Sequence, residues 1–441
     1  MASEHSGQSQ RFPLVLADNQ LLRFITFFLL YACQGVPIGL TLIAVPAWMA
    51  AEGQSAGVIA SVTSTALLPW GIKMFNGLIM ERYAFLPMGR RRAWLVGAQC
   101  VICLALTAVI VLKPGIEDRA LLIVLLFSMN LAATFQDSAI DGIAVDVTPA
   151  AEHGRINSFM AAGQGLGMAG SGALAGYLVG PYGLQGAALT LLLFVALILF
   201  AVTLVLERAG ERRLPWSTGA PAIHAAGTAP QAWLVLLKRV FQALARFEVL
   251  VFLPSFACYG IFAAIGDIAT PVFAAQKLGW STEETASLIS SAGFAAGLSG
   301  LFFIGFISDR VGILRVGMTS FLGLCVIAVV FANALPDGVQ AMLFPAFVFA
   351  VDIAAQAIFI AATALAMRVC RVEIAASQFA LMVAVPNLVR VGMQNFVQPL
   401  LDAGGFALAW SVTGAAGAIG AVLYFTAYQA ITRASAAQPA Q

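Results

Sequence analysis

The chain alternates between long apolar segments and short polar ones over almost its whole length. A helix needs roughly 20 apolar residues to cross the hydrocarbon core of a bilayer. Twelve segments of this kind begin near Phe24, Val58, Trp94, Leu121, Ile156, Leu184, Val249, Ala286, Ile313, Val339, Ala375 and Phe406. The pattern predicts an all-α integral membrane protein with twelve transmembrane helices, and the even number places both termini on one side.

The composition excludes a soluble domain. Hydrophobic residues make up 61% of the chain and charged residues 10%, with a mean hydropathy of +0.91, so no surface of ordinary polarity can be assembled. The net charge of +2 comes from basic residues spread over many loops, and we therefore expect no nucleic-acid partner. The expected surroundings are the lipid bilayer, and we expect a monomer without an obligate protein partner.

The basic residues are concentrated in alternate loops. One set of loops carries Arg90, Arg91, Arg92, Arg155, Arg208, Arg212, Arg213, Lys238, Arg239, Arg246, Arg310, Arg315, Arg368 and Arg371. The other set carries only Lys113, Arg119 and Lys277. Because short basic loops stay on the cytoplasmic side, both termini are predicted to be cytoplasmic.

The two halves of the chain are similar to each other. The run from Gly77 to Arg82 recurs 228 residues later, from Gly305 to Arg310, and Ser55 aligns with Ser281. The predicted division is a tail (1–21), a six-helix bundle (22–206), a linker with an amphipathic helix (207–247), a second six-helix bundle (248–432) and a tail (433–441). Such pseudo-repeats are typical of secondary transporters whose bundles rock about a midplane site.

Five motifs carry a resemblance to a known family. The run Gly305, Asp309, Arg310, Gly312 and Arg315 resembles the loop signature of the major facilitator superfamily. Glu81 replaces the expected Asp in the first copy, and five extra residues precede Gly89. That stretch, the Gln34-Gly35-Val36-Pro37 run, the Gln136-Asp137 run with Asp141 and Asp146, and the run from Ala376 to Leu381 are similar to muropeptide permeases and acetyl-coenzyme A transporters. Siderophore-uptake transporters are also similar.

The resemblance implies a major facilitator fold and a cytoplasmic gate at the two loop motifs. The predicted gate comprises Gly77, Glu81, Arg82, Arg90, Arg91, Arg92, Asp146, Gly305, Asp309, Arg310, Gly312 and Arg315. Glycine lets helices approach closely, while carboxylate and guanidinium groups form charge-assisted links that can close and release. A static cap on the helix ends is the alternative interpretation.

Charged residues inside the predicted spans are the candidates for proton coupling, because each costs several kcal/mol in a bilayer unless it is paired or hydrated. Asp137 and Asp141 stand one turn apart on one helix face, and Lys73 lies at a similar depth. An ion pair of Lys73 with either acid is possible and would leave open whether it only neutralises buried charge.

The second half contributes Asp267, Asp352 and Arg390. In the family's fold, the helices that carry Asp137, Asp141, Asp267 and Asp352 line the cavity, so the resemblance implies that these four acids converge there. We expect them to couple protons. The predicted substrate cavity comprises Gln34, Lys73, Gln136, Asn387 and Arg390. Arg390 could bind a substrate anion or pair with Asp352 or Asp267.

The predicted function is secondary active transport, as a proton-coupled importer of a bulky polar or amphiphilic solute such as a muropeptide or a siderophore, in a bacterial inner membrane. The alternative is a drug or metabolite proton antiporter, suggested by the glycine-rich run from Gly163 to Pro181. An integral-membrane transferase is more remote, since His5, His153 and His224 all lie outside the spans. A channel is the third option. No metal or cofactor is expected, and the proton gradient is the energy source.

Overall fold

The computed structural model describes residues 14–83, 88, 91–149, 152–220, 242, 244–334, 337–370 and 375–436. This part is almost entirely helical, as expected of a chain in lipid, where helices satisfy their backbone polar groups internally. Its α-helices are α1 Gln20–Gly39, α2 Val45–Ala51, α3 Ala56–Ile72, α4 Met74–Arg82, α5 Arg92–Leu112, α6 Arg119–Val147, α7 His153–Leu204, α8 Phe247–Leu278, α9 Thr282–Ser299, α10 Gly305–Val311, α11 Ile313–Asn333, α12 Asp337–Val369, α13 Ala375–Gln394 and α14 Val397–Ala436. The amphipathic helix predicted in the linker lies mostly outside the described residues.

Within the described part, nine helical stretches are long and apolar enough to cross a membrane. Two of them, Arg155–Leu204 with 50 residues and Val397–Arg433 with 37, exceed the roughly 20 residues that one crossing needs. Gly183 (φ 66°) and Gly405 (φ 63°) interrupt them with left-handed backbone, which glycine adopts without a Cβ penalty. Each break lies one residue before a predicted segment start. The number of twelve crossings and the side of the termini remain predictions.

The internal repeat is visible in how helices begin. The Ser55 hydroxyl accepts a hydrogen bond from the Val58 backbone N at 3.4 Å, and the Ser281 hydroxyl accepts one from the Glu284 backbone N at 3.2 Å. Each serine is the N-cap of the helix that follows it, α3 or α9, and capping satisfies a backbone donor that the helix leaves free. Ser55 and Ser281, which align in the repeat, therefore cap corresponding helices in the two halves.

The first bundle (α1–α7) and the second bundle (α8–α14) meet through α2 with α8, α3 with α13, and α7 with α9. Leu16 donates its backbone N–H to the Leu206 carbonyl. We call the end of the bundles that contains this bond the terminal face, and the other end the opposite face. The described hydrogen bonds between the bundles all lie on the opposite half, for example from Gln276 Nε2 to the Gln54 carbonyl at 2.9 Å. The bundles are thus joined on the side away from the terminal face.

Glycines of α7 bring two helices of the first bundle into close contact. A Cβ at Gly167 would stand 2.0 Å from the Ala32 carbonyl O, and one at Gly163 would stand 2.3 Å from the Phe28 carbonyl O. Only glycine permits this approach of α1 to α7. Close packing therefore accounts for these two glycines without an antiporter motif.

Candidate functional site

Asp137 is the centre of a buried polar cluster in the first bundle. Its Oδ2 accepts a hydrogen bond from Lys73 Nζ at 2.9 Å, and its Oδ1 accepts one from Gln34 Nε2 at 2.7 Å. Asp137 is 5% exposed and Gln34 is fully buried. Three helices, α1, α3 and α6, thus converge on one carboxylate. Of the two pairings open to Lys73, the structure shows the one with Asp137.

Asp141 lies one turn closer to the terminal face and has a different partner. The Tyr31 hydroxyl donates a short hydrogen bond to Asp141 Oδ1, and no described cation forms an ion pair with this carboxylate. Its electrostatic neighbours are Asp137, Lys73 and Arg91, yet its side chain is exposed. Asp141 therefore faces an accessible space between helices rather than a packed core.

The second bundle holds a stronger pair. Arg390 donates from Nε to Asp267 Oδ2 at 2.6 Å and from a terminal nitrogen to Oδ1 at 2.5 Å, the bidentate geometry in which a guanidinium binds a carboxylate best. Gln394 Nε2 adds a third hydrogen bond to Oδ2 at 2.7 Å. Of the partners open to Arg390, the structure shows Asp267.

Asp352 is the second acid of this bundle. It is half-buried on α12, and its electrostatic neighbours are Asp267 and Arg390. Within the described residues its carboxylate has no hydrogen bond or ion pair. Tyr259 lies in the same field, with Arg390, Asp267 and Asp352 as its charged neighbours. The four acids predicted to couple protons all lie within helical segments, two of them in each bundle.

Two predicted cavity residues do not join these clusters. Gln136 is fully buried and donates from Nε2 to the Leu30 carbonyl at 2.9 Å, which places its amide between α6 and α1. Asn387 donates to the Val383 carbonyl of its own helix at 3.4 Å. Gln136 directly precedes Asp137, so the helix turns its side chain about 100° away from the face of that acid. Asn387 lies three residues before Arg390 and so near the same face, but its described hydrogen bond stays within its own helix.

The terminal face of the first bundle is held by arginines. Arg91 forms an ion pair with Asp146 and donates to the Gly142 carbonyl at 2.8 Å. Arg92 is buried and donates to the Val202 carbonyl at 2.8 Å. These bonds join the start of α5 to the ends of α6 and α7, so the two arginines act inside one bundle.

Glu207, just beyond α7, belongs to the same region. Burial and the neighbouring Glu211 raise the pKa of Glu207 while Arg92 lowers it, and the net result is a pKa of about 7. One of its carboxylate oxygens is buried without a hydrogen-bond partner. Nothing in the sequence spacing of Glu207 predicts its burial, so the residue could not be identified from the sequence.

The second copy of the loop motif is more open. Gly312 ends α10 with φ 92°, which explains a glycine at this position. The Arg310 guanidinium lies 4.0 Å from the centre of the Phe306 ring, and Arg310 and Arg315 are exposed. Gly77 and Gly305 lie in helices α4 and α10. Arg90 and the side chains of Glu81, Arg82 and Asp309 lie outside what the structure describes, so the predicted gate contacts are not tested.

Several polar residues of the site were not selected from the sequence. Trp70 donates from Nε1 to Asn130 Oδ1 at 2.9 Å, and Asn130 donates to the Thr41 hydroxyl at 2.8 Å. Tyr31 and Tyr259, which lie beside the predicted acids, could have been identified from the sequence. They are 228 residues apart, the offset of the loop motif, and this repeat is the signal that could have found them.

Comparison with known proteins decides the family. A model of the Major Facilitator Superfamily matches residues 27–393. The chain belongs to this superfamily. It is a transporter and not an enzyme, and both the family and the similar proteins below support this assignment.

Among curated proteins, the chain is 26% identical over 295 residues to the anhydromuropeptide permease of Escherichia coli strain K12, which is 64% of this chain and 54% of the permease. The same permease of Escherichia coli O157:H7 gives the same values. The chain therefore spans about half the length of the curated relatives it matches.

Among solved structures, the nucleoside transporter NupG matches with a TM-score of 0.67 and 14% identity, over 92% of this chain and 98% of that one. A mutant of the same transporter gives 0.66 and 14%, over 92% and 99%. At this identity the likeness shows the fold alone.

Proposed function

We propose that this transporter is a proton-coupled importer of a bulky polar solute of the muropeptide class. In this proposal it lies in the cytoplasmic membrane of a bacterium, crosses it twelve times and keeps both termini in the cytoplasm. The name of the similar permeases supports the solute class. The charges inside the two bundles support the coupling.

The observation that carries the proposal is a surplus of one carboxylate in each bundle. Asp137 is paired with Lys73 and Asp267 with Arg390, which leaves Asp141 and Asp352 without a described cation. An unbalanced charge inside a membrane costs several kcal/mol. Binding a proton removes that charge, and releasing the proton to the other side completes the coupling. One proton through 100 mV supplies about 2.3 kcal/mol.

The two cations fit the acidic groups of a sugar-peptide. Lys73 and Arg390 side chains are each 22% exposed, so neither cation is fully enclosed by protein. A carboxylate of the solute can exchange with Asp137 or Asp267 for these cations, because ammonium and guanidinium groups bind carboxylates by charge-assisted hydrogen bonds. A solute with two separated carboxylates would bridge the bundles.

The test is uptake of labelled anhydromuropeptide by cells that express the chain, with and without a protonophore and with an iron-loaded siderophore in parallel. We expect protonophore-sensitive accumulation of the muropeptide. Accumulation of the siderophore instead would show that the solute belongs to the siderophore class. Lower accumulation than in control cells would indicate an exporter.

Asp141→Asn gives the matching variant. We expect this variant to abolish accumulation, because an amide does not ionise and so cannot bind and release a proton during transport. Asp118→Asn is the control, since Asp118 is an exposed acid that accepts only a local bond from Gly115 N. Uphill uptake by Asp141→Asn at the wild-type level would rule out Asp141 as a carrier.

A further inference from the structure

A line of polar contacts joins the bundles on the opposite half, between α3 and the α13–α14 region. The Gly57 backbone N donates to Gln398 Oε1 at 3.0 Å, and Ser64 and Asn395 lie within 3.3 Å of each other through hydroxyl and amide. Further inward, the Thr63 hydroxyl lies 3.3 Å from Gln394 Oε1, and it shares its one proton between this oxygen and the carbonyls of Ile59 (3.0 Å) and Ala60 (3.3 Å) in its own helix. We call these contacts the polar seam. They join the two bundles on the opposite half.

Gln394 and Gln398 both use their amides at both ends, since Gln398 Nε2 donates to Asp402 Oδ1 at 2.7 Å. Gln394 differs in its carboxylate, which belongs to Asp267 of the ion pair rather than to an exposed residue. Nε2 donates to Asp267 Oδ2 while Oε1 accepts from Thr63. The side chain and Thr63 are both fully buried. Turning the amide over would set its oxygen against the carboxylate, so the carboxylate determines which end of Gln394 is presented to Thr63.

We infer that Gln394 couples the Asp267–Arg390 pair to the contact between the bundles, as a positioning residue for opening of the opposite half. While Asp267 is bound to Arg390, it holds Gln394 in the orientation that Thr63 requires. When Arg390 exchanges Asp267 for a solute anion, the carboxylate moves and the seam loses a bond. This step rests on the proposed function, because it assigns the exchange to solute binding.

The size of the effect follows from a single hydrogen bond. A net intramolecular hydrogen bond contributes enough to shift an equilibrium roughly two- to tenfold. The seam has other members, so loss of this bond biases opening without forcing it. Occupancy of the site is thereby converted into a change in the ratio of closed to open molecules.

The experiment measures that ratio without any solute. Spin labels at Glu52→Cys and Glu283→Cys, both exposed on the opposite face, report the separation of the bundles in nanodiscs, with the six native cysteines replaced by alanine. Gln394→Leu should raise the long-distance to short-distance ratio two- to tenfold. The neutralised pair Asp267→Asn/Arg390→Gln should do the same.

The decisive result is the combination. Gln394→Leu added to the neutralised pair should give no further increase, because both remove one linkage. Asn395→Leu is the matched control: it removes a seam contact that has no bond to the pair, so its effect should add in full. Additive effects for Gln394→Leu, or an unchanged ratio, would overturn the inference.

Two safeguards keep the test interpretable. If the neutralised pair does not fold, Asp267→Glu keeps the charge and shifts the carboxylate by one methylene, and the same cycle with Gln394→Leu applies. A non-additive cycle combined with no muropeptide uptake would refute the proposed solute and leave the coupling intact. Muropeptide uptake combined with an additive cycle would do the reverse.

Discussion

Each bundle has a polar cluster with two acids and one cation, and the two clusters are arranged differently. In the first, Asp137 and Asp141 share one face of α6, and Lys73 reaches Asp137 by a single contact. In the second bundle, Asp267 and Asp352 lie on different helices, and Arg390 donates two hydrogen bonds to Asp267. We call the singly bonded pair Lys73–Asp137 the flexible pair and the doubly bonded pair Arg390–Asp267 the rigid pair.

The difference suggests a division of labour. A lysine ammonium is a point charge that can change partners or lose its proton, whereas a guanidinium stays charged and holds a fixed geometry. Asp141 is beside the flexible pair and is exposed, which suits proton exchange. The rigid pair is bonded through Gln394 to the seam between the bundles, which suits control of opening.

The largest effect should come from breaking the rigid pair. Asp267→Asn leaves the Arg390 charge buried without a full partner, and we expect a loss of about 3–5 kcal/mol in the free energy of unfolding. Asp137→Asn should cost less, roughly 1–3 kcal/mol, because Lys73 can give up its proton. Thermal unfolding in detergent compares the two, with Asp118→Asn as control. An equal or larger loss for Asp137→Asn would contradict the comparison.

The contact of α7 with α1 in the first bundle is closer than the contact of α14 with α11 in the second. A Cβ at Gly167 would stand 2.0 Å from the Ala32 carbonyl O, whereas one at Gly417 in the second bundle would stand 2.8 Å from the Phe321 carbonyl O. We expect Gly167→Ala to destabilise the protein by about 1–3 kcal/mol through overpacking, and Gly417→Ala to cost less. Gly165→Ala is the matched control, since a Cβ there has nothing within 4 Å. Equal thermal stability of the Gly167 and Gly165 variants would show that α1 and α7 do not meet this closely.

The smallest effect concerns the terminal face, where the first bundle has buried charges and the described arginines of the second are exposed. Burial raises the pKa of Glu207 from 4.5 to about 7, so the native state binds this proton more tightly than the unfolded chain. Stability should therefore fall as pH rises from about 4.5 to about 7. Glu207→Gln should match the wild type near pH 5 and exceed it by about 1–2 kcal/mol at pH 8, allowing for partial exposure. Melting curves across this range test it, and a constant difference at all pH values would count against a buried Glu207.

Much of the architecture was accessible from the sequence. Apolar runs separated by short polar loops predict membrane helices because the bilayer demands about 20 apolar residues per crossing. The pairing of Asp137 and Asp141 on one face also follows from sequence, since residues four apart on a helix are neighbours. The loop motif indicated the family before any comparison. These inferences are all local, and each needs only a short stretch of chain.

The partners of the charged groups were decided by tertiary structure. Sequence left Lys73 between two acids and Arg390 between two others, and it did not select Tyr31, which lies 110 residues from Asp141. Spacing along a helix determines which residues share a face, but the rotation and depth of one helix against another depend on packing, such as the contact of Gly167 with α1. Gln394, Asp267 and Thr63 come from three helices, and only the packed bundles bring them into one line of hydrogen bonds.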